Sequence, residues 1–205
     1  MNASDLLERH RVIPVVVMDD AEQALPLGKT LLDSGIQAVE ITLRTEAGLR
    51  SIKTIAEKLP ELIVGAGSIR QPGQFTAAID AGAKFLVSPG STDTLLDEAA
   101  NAGLPFVPGA ATASEMMKLL ERGYRLQKFF PAEQLGGLAM INSLTAPLPE
   151  VMFFPTGGIS LELAPDYLAH TNVAAIGGTW ITPKEALKNG DLDTIQALAR
   201  EAAAL

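Results

Sequence analysis

Short apolar runs rich in β-branched residues alternate with helix-patterned segments along the whole 205-residue chain. Apolar runs of this kind, bounded by glycine, proline or polar residues, are typical of strands buried on both faces. Strands that alternate with helices form βαβ units, which place neighbouring strands parallel in one sheet. The predicted strands cover residues 12–17, 38–43, 62–66, 85–88, 106–107, 126–130, 151–154 and 173–176.

Helical segments fill the intervals between these strands. They cover residues 20–34, 45–59, 72–81, 91–102, 112–122, 138–144, 161–169 and 192–204. No linker or change of composition interrupts the alternation, so we expect one domain over residues 1–205, folded as a closed (β/α)8 (TIM) barrel. A doubly wound open sheet is the alternative. A short polar helix over residues 1–11, with Ser4 as its cap, precedes the first strand.

Four glycines follow helical runs, where a C-terminal cap requires a left-handed residue. These are Gly35, Gly82, Gly103 and Gly123.

Composition excludes several classes of function. No apolar stretch is long enough to span a membrane, and the N-terminus lacks the pattern of a signal peptide. The net charge of -8 argues against a nucleic-acid partner. The absence of cysteine excludes disulfides and thiolate sites, and two separate histidines do not suggest a metal site. We therefore expect a cytoplasmic globular protein with neither metal nor cofactor.

One lysine stands within an apolar, aromatic run that ends at a proline. Lys128 precedes Phe129, Phe130 and Pro131, in a run whose apolar character predicts a buried strand. Lysine is rarely buried without a partner, so Lys128 needs either a partner or a function. Side chains alternate along a strand, so Lys128 and Phe130 share one face. By the same rule Glu40, Thr42 and Arg44 share a face of the second strand, and both faces can point into one cavity.

Two interpretations of Lys128 and Glu40 remain open at this point. They form either a buried ion pair between two strands or a pair of catalytic groups. The predicted strand ends favour a functional site, since barrels collect their functional residues at the carboxyl ends of strands. These ends combine glycine and proline with hydroxyl or charged residues, as at 65–68, 88–90, 108–110, 155–158 and 177–179.

Six short motifs occur in a characteristic order: VEITLRT at 39–45, GAGS at 65–68, SPG at 88–90, KFFPAE at 128–133, PTGGI at 155–159 and IGGTW at 176–180. In this respect the chain resembles the family of 2-keto-3-deoxy-6-phosphogluconate (KDPG) and 4-hydroxy-2-oxoglutarate (KHG) aldolases. The resemblance implies a class I aldolase on a (β/α)8 barrel, assembled as a homotrimer. It assigns Schiff-base formation to Lys128 and general acid/base catalysis to Glu40. An amine attacks a ketone only when it is unprotonated, and burial disfavours the charged ammonium form.

The same resemblance assigns the residues that bind substrate. Arg44 would bind the carboxylate through its planar guanidinium, and Ser68, in a position often occupied by threonine, would contact the same group. Pro89 and Phe130 would form the wall around the pyruvyl part, and Thr156 would recognise the C4 hydroxyl. The phosphate side comprises Gly157, Gly158, Gly177, Gly178 and Thr179.

The expected reaction is cleavage of KDPG to pyruvate and glyceraldehyde 3-phosphate. Cleavage of 4-hydroxy-2-oxoglutarate to pyruvate and glyoxylate is a further expectation. Two other functions stay open: a phosphate-binding barrel isomerase or epimerase with Glu40 as base, and a non-catalytic sugar-phosphate binding protein. The expected partner is in each case a small phosphorylated sugar acid or 2-oxo acid.

Overall fold

The computed structural model of the chain describes residue 7 and residues 9–205. The helix predicted over residues 1–11, with its cap at Ser4, therefore lies largely outside the described residues. The fold is α/β, with parallel strands. The strands are β1 (Val12–Val16), β2 (Ala38–Thr42), β3 (Ile63–Gly67), β4 (Leu86–Val87), β5 (Phe106–Val107), β6 (Gly109–Ala110), β7 (Leu126–Phe129), β8 (Met152–Pro155) and β9 (Ile176–Gly178).

Helices follow the strands almost without exception. They are α1 (Ala24–Asp33), α2 (Ala47–Lys58), α3 (Gly73–Asp80), α4 (Asp93–Ala102), α5 (Ala113–Glu121), α6 (Gly137–Thr145), α7 (Ala164–Ala169), α8 (Lys184–Asn189) and α9 (Leu192–Ala203). Short 3-10 turns lie at Ala21–Gln23 and Glu133–Leu135. Among the described residues, none of the helices has both the length and the apolar composition to cross a membrane.

The strands pair in sequential order. One sheet has six parallel strands in the order β5-β4-β3-β2-β1-β9, and the other has three in the order β6-β7-β8. This order never reverses between β1 and β5, whereas a doubly wound sheet reverses at its switch point. Pro108 separates β5 from β6, and its carbonyl accepts a hydrogen bond from the Lys128 amide at 2.8 Å. Parallel bridges connect Phe153 of β8 to Val173, and Thr156, directly after β8, to Gly177.

The last strand differs from its prediction. The sequence pattern indicates residues 173–176, but the ladder with β1 covers Ile176–Gly178. Glycine is depleted in strands, so the sequence pattern gave no strand signal at Gly177 and Gly178. Pairing with β1 compensates for this weak local preference, because Ile13 and Pro14 lie opposite the two glycines. Helix α8 was also absent from the sequence pattern.

The ends of several helices are capped by residues that were recognisable in the sequence. The four predicted cap glycines have φ values of 91°, 93°, 70° and 86°, in the left-handed region. Helix α5 begins with a capping box, in which Thr112 and Glu115 satisfy each other's backbone amides. Amide donors from Ala111 and Thr112, together with the Thr112 hydroxyl, hold the pKa of Glu115 below its ordinary value despite partial burial.

Two apolar layers lie on opposite faces of the strands. The outer layer, between strands and helices, includes Phe129 and Phe153, whose rings meet edge to face at 6.2 Å. The inner layer is enclosed by the strands and includes Phe85 and Phe154. Gly65 makes room for this inner layer, because a Cβ there would lie 2.3 Å from the Phe85 ring. Alternation along β7 thus directs Phe129 outwards and its neighbour Lys128 inwards.

Phe75 tests the contribution of the outer layer to stability. Its side chain is 1% exposed and contacts the Phe106 ring at a centroid distance of 5.1 Å. We expect Phe75→Ala to lower the free energy of unfolding by about 3–5 kcal/mol, because it leaves a cavity. Urea denaturation with an unchanged m-value measures the loss. Met117→Ala, at a side chain that is 52% exposed, is the control and should change stability by less than about 0.5 kcal/mol.

Candidate active site

A buried lysine and a buried glutamate meet inside the space enclosed by the strands. Lys128 Nζ lies 3.1 Å from Oε1 and 3.3 Å from Oε2 of Glu40. Lys128 is 4% exposed and Glu40 is 0% exposed. Removing two charges from water costs several kcal/mol per ion, and their attraction offsets this cost only in good geometry. At this distance the carboxylate can also take a proton from the ammonium.

Strand register brings the two groups together. On β7, Lys128 lies between Gly109 and Phe154 of the neighbouring strands. On β2, Glu40 lies beside Gly65 of β3. The strands are not adjacent, so the two side chains meet across the enclosed space. The prediction that they point into one cavity is confirmed.

Gly67 provides the space for the glutamate. A Cβ at this position would lie 2.0 Å from Glu40 Oε1 and 2.6 Å from its Cδ atom. Heavy atoms in proteins do not approach this closely without bonding, so any side chain here would displace the carboxylate. The absence of a side chain at Gly67 therefore determines where Glu40 can lie.

Two aromatic rings flank the lysine. Lys128 Nζ lies 5.7 Å from the ring centroid of Phe130 and 5.8 Å from that of Phe154. The faces of these rings attract a cation, and their bulk keeps water away from the amine. Phe130 is only partly buried and connects the lysine to a cavity of about 310 Å³.

That cavity is lined by five residues that follow β2, β3, β4 and β7. They are Arg44, Ser68, Arg70, Pro89 and Phe130. Four of them were predicted from the sequence as carboxylate-binding or wall residues. The fifth, Arg70, was missed, although its spacing of two residues from Ser68 was a signal that it could share that side of the chain.

Ser68 contacts Arg44, the arginine that follows β2. Arg44 Nε donates a hydrogen bond to Ser68 Oγ at 3.0 Å. Ser68 has φ of 58°, a left-handed conformation that is uncommon for a residue with a side chain. Such strain persists where the surrounding structure imposes it, and it is frequent at functional sites. The turn at Ser68 places its hydroxyl beside the guanidinium and at the edge of the cavity.

A buried hydroxyl lies on the other side of the site. Thr156 is 2% exposed, and its Oγ1 has no hydrogen-bond partner among the described residues. Thr156 pairs with Gly177 in an isolated parallel bridge. A Cβ at Gly177 would lie 2.3 Å from Thr156 Oγ1, so the glycine is required by the threonine. Unsatisfied buried hydroxyls are rare, and the hydrogen-bonding capacity of this one is not used by any described residue.

The glycines predicted for the phosphate side also contact protein groups closely. Gly157 and Gly158 have φ of 102° and 79°, conformations that glycine adopts without strain. A Cβ at Gly158 would lie 2.7 Å from Glu133 Cβ, and one at Gly178 would lie 2.4 Å from the Trp180 ring. These glycines therefore serve packing as well as any ligand. Thr179, between the Gly178 strand end and Trp180, is exposed.

Glu133 supports the turn after β8 and was not singled out from the sequence. Its amide donates to the Gly157 carbonyl at 3.1 Å, and its carboxylate accepts a hydrogen bond from the Tyr167 hydroxyl. Burial, followed by the hydrogen bond to the glutamate, raises the pKa of Tyr167 well above its ordinary value. The tyrosine therefore remains a neutral donor at physiological pH.

The buried ion pair predicts an asymmetric response to mutation. We expect Lys128→Met to lower the free energy of unfolding by about 3–5 kcal/mol, because Glu40 is then left buried without a partner. The double variant Lys128→Met/Glu40→Gln should recover much of this loss, since it removes both charges. Urea denaturation of the single and double variants measures the coupling. Equal losses in both variants would contradict a dependence on the charge pair.

Relatives and solved structures match nearly the whole chain. The chain is 43% identical over 203 residues to the 2-dehydro-3-deoxy-phosphogluconate aldolase of Dickeya dadantii, covering 99% of this chain and 95% of the relative. It is 43% identical over 201 residues to the KHG/KDPG aldolase of Escherichia coli K12, covering 98% and 94%. A crystal structure of Legionella pneumophila KDPG aldolase, with pyruvate captured as a covalent carbinolamine intermediate, superimposes with a TM-score of 0.94 at 39% identity, covering 98% and 97%.

The family assignment rests on a match that includes every residue of the site. The family model "KDPG and KHG aldolase" matches residues 3–198, a range that contains the ion pair, the cavity and the turns after β8 and β9. Together with relatives of this identity and coverage, it leaves one conclusion. The chain belongs to the KDPG and KHG aldolase family.

Proposed function

We propose that the chain is a class I aldolase in which Lys128 forms a Schiff base with a 2-oxo acid and Glu40 transfers the protons. The observation that carries this proposal is the 3.1 Å contact between the two buried groups. A lysine held among aromatic rings beside a carboxylate has both conditions that a nucleophilic amine needs: exclusion of water and a nearby base. The pyruvate carbinolamine in the Legionella relative is consistent with this chemistry.

The substrate is 2-dehydro-3-deoxy-6-phosphogluconate, which the names of several relatives specify. The amine attacks the C2 carbonyl to give a carbinolamine, and loss of water gives an iminium ion. Glu40 then accepts the proton of the C4 hydroxyl, and the electrons of the C3–C4 bond move into the iminium. Glyceraldehyde 3-phosphate leaves, and the remaining enamine is protonated at C3 and hydrolysed to pyruvate. Electrons and protons balance without an added oxidant or reductant.

The other site residues divide between the two ends of this substrate. Arg44 and Ser68 bind the carboxylate, since a guanidinium and a hydroxyl meet at the edge of the cavity. Pro89 and Phe130 enclose the pyruvyl part. Thr156 binds the C4 hydroxyl, which would satisfy its unpaired Oγ1. At the opposite end Gly157, Gly158, Gly177, Gly178 and Thr179 bind the phosphate, as the turns after the last two strands of barrels commonly do.

The same substrate site serves 4-hydroxy-2-oxoglutarate, the other compound in the family description. Its cleavage gives pyruvate and glyoxylate by the same steps, because the C2 carbonyl and the C4 hydroxyl are shared with the phosphorylated substrate. Support comes from the E. coli relative, whose name contains both activities.

The two sheets together make the proposed barrel. We propose that the strands close into a (β/α)8 barrel. Two connections between the two sheets support this: Pro108, which joins β5 to β6, and the bridges from the region of β8 to Val173 and Gly177.

The family resemblance supports a homotrimer that acts in the cytoplasm. Light scattering of the purified chain tests the trimer.

Borohydride trapping tests the covalent step. Incubation with pyruvate and sodium borohydride should reduce the iminium and leave a stable adduct on Lys128, found by peptide mass spectrometry. Lys84, an exposed lysine outside the enclosed space, should remain unmodified and serves as the internal control. An isomerase, an epimerase or a binding protein would form no adduct and release no pyruvate, and that outcome would refute the aldolase mechanism.

Gly67→Ala tests the position of the glutamate. The added Cβ would lie 2.0 Å from Glu40 Oε1, so the carboxylate must move away from the lysine. We expect turnover to fall by roughly tenfold or more, the scale of a displaced general base. Gly73→Ala is the matched control, because a Cβ added at Gly73 would have no other atom within 4 Å.

Pyruvate release, coupled to lactate dehydrogenase, measures both glycine variants, and circular dichroism confirms that each remains folded. Equal turnover in the two variants would show that the position of Glu40 is not limiting.

A further inference from the structure

The cavity beside Lys128 is lined by a second arginine for which the proposed function has no role. Arg70 lines the same space of about 310 Å³ as Arg44 and Ser68. Of the two arginines, Arg44 uses Nε to contact Ser68. No carboxylate pairs with either guanidinium among the residues that the structure describes. Two arginines therefore line the cavity, and none of its lining residues is acidic.

The backbone of Arg70 is anchored beside this cavity. The left-handed turn at Ser68 is followed by Ile69, which is fully buried in the outer apolar layer. Arg70 comes next in the chain and lines the same cavity as Ser68. Its amide donates to Gln74 Oε1 at 2.7 Å, which fixes the backbone of Arg70 at the start of α3. The backbone of Arg70 is therefore held beside the cavity, although its side chain is exposed.

The positive charge of Arg70 opposes the net negative charge of the chain. The chain has a net charge of -8, so an anionic substrate is repelled by the molecule as a whole. Two arginines that line one cavity make the local potential more positive, which counteracts the repulsion and attracts anions. A guanidinium also matches a carboxylate geometrically, with two donors for two oxygens.

We propose that Arg70 is a second carboxylate-binding residue, which acts with Arg44 on the carboxylate of the 2-oxo acid and favours 2-oxo acids over neutral ketones. This inference rests on the proposed function and deepens it. The carboxylate end is the relevant one because Arg70 follows β3 and shares its cavity with Ser68. The turns assigned to phosphate follow β8 and β9 instead.

Pyruvate is the probe for this proposal, since it carries the carboxylate but neither a C4 hydroxyl nor a phosphate. The concentration of pyruvate that gives half-maximal borohydride adduct should rise about threefold to fivefold in Arg70→Gln, the upper range for an exposed ion pair. Arg70→Lys should retain part of the affinity, because it keeps the charge and loses the fork. The maximal amount of adduct should not change.

Arg125→Gln is the matched control. Arg125 is an exposed arginine that contacts the Glu150 carbonyl at 3.3 Å, directly before β7, at the opposite end of that strand from Phe130. Its substitution changes the net charge by the same amount as Arg70→Gln. A general charge effect would weaken pyruvate binding equally in both variants, and that result would overturn the proposal.

Two further outcomes are informative. If Arg70→Gln raises KM for the phosphorylated substrate and leaves pyruvate half-saturation unchanged, Arg70 binds the distal group and the carboxylate assignment is wrong.

Calorimetric titration of pyruvate in the Lys128→Met background tests binding without the covalent step. Weaker binding there on adding Arg70→Gln supports the role of Arg70, even if no adduct forms in the wild type and the aldolase mechanism fails.

Discussion

The rest of the site depends on one buried contact between Lys128 and Glu40. Neither group is stable alone in an apolar interior, since an unpaired buried charge costs several kcal/mol. Together they tolerate burial, and burial keeps water from the amine that the proposed chemistry uses. Structural pairing and the proposed reactivity are therefore compatible, because the same contact would place the proposed base beside the proposed nucleophile. Of the two interpretations left open by the sequence, the structure shows the buried ion pair, and the catalytic pair is the proposal.

Glycines make this arrangement possible because they remove volume where functional groups must lie. Gly67 gives space to the Glu40 carboxylate, and Gly177 gives space to Thr156. A strand-rich interior packed with valine and isoleucine would have no room for charged or hydroxyl side chains at its carboxyl edge. The interior is accordingly apolar at Phe85 and polar at Glu40, Lys128 and Thr156. The weak strand propensity of glycine is compensated by pairing with neighbouring strands.

Much of the fold was predictable because its signals are local. Alternating strands and helices, the period-two placement of Lys128 against Phe129 and the cap glycines all depend on residues close in sequence. The predictions failed where pairing overrode local preference, as in the shift of the last strand to Ile176–Gly178. Helix α8 was missed as well. Glu133 was missed because its contacts, Gly157 and Tyr167, are distant in sequence, and Arg70 because its cavity is lined by residues from four parts of the chain.

The sequence by itself determined the α/β class, the inward face of β7 and, through its motifs, the resemblance to an aldolase family. These features follow from periodicity and from short contiguous patterns. Only the tertiary structure decided that Lys128 and Glu40 touch, 88 residues apart in the chain, and that Arg70 shares a cavity with Arg44. The physical reason is that distances across an enclosed space depend on the register of several strands and on the volume left by glycines. No single segment contains that information.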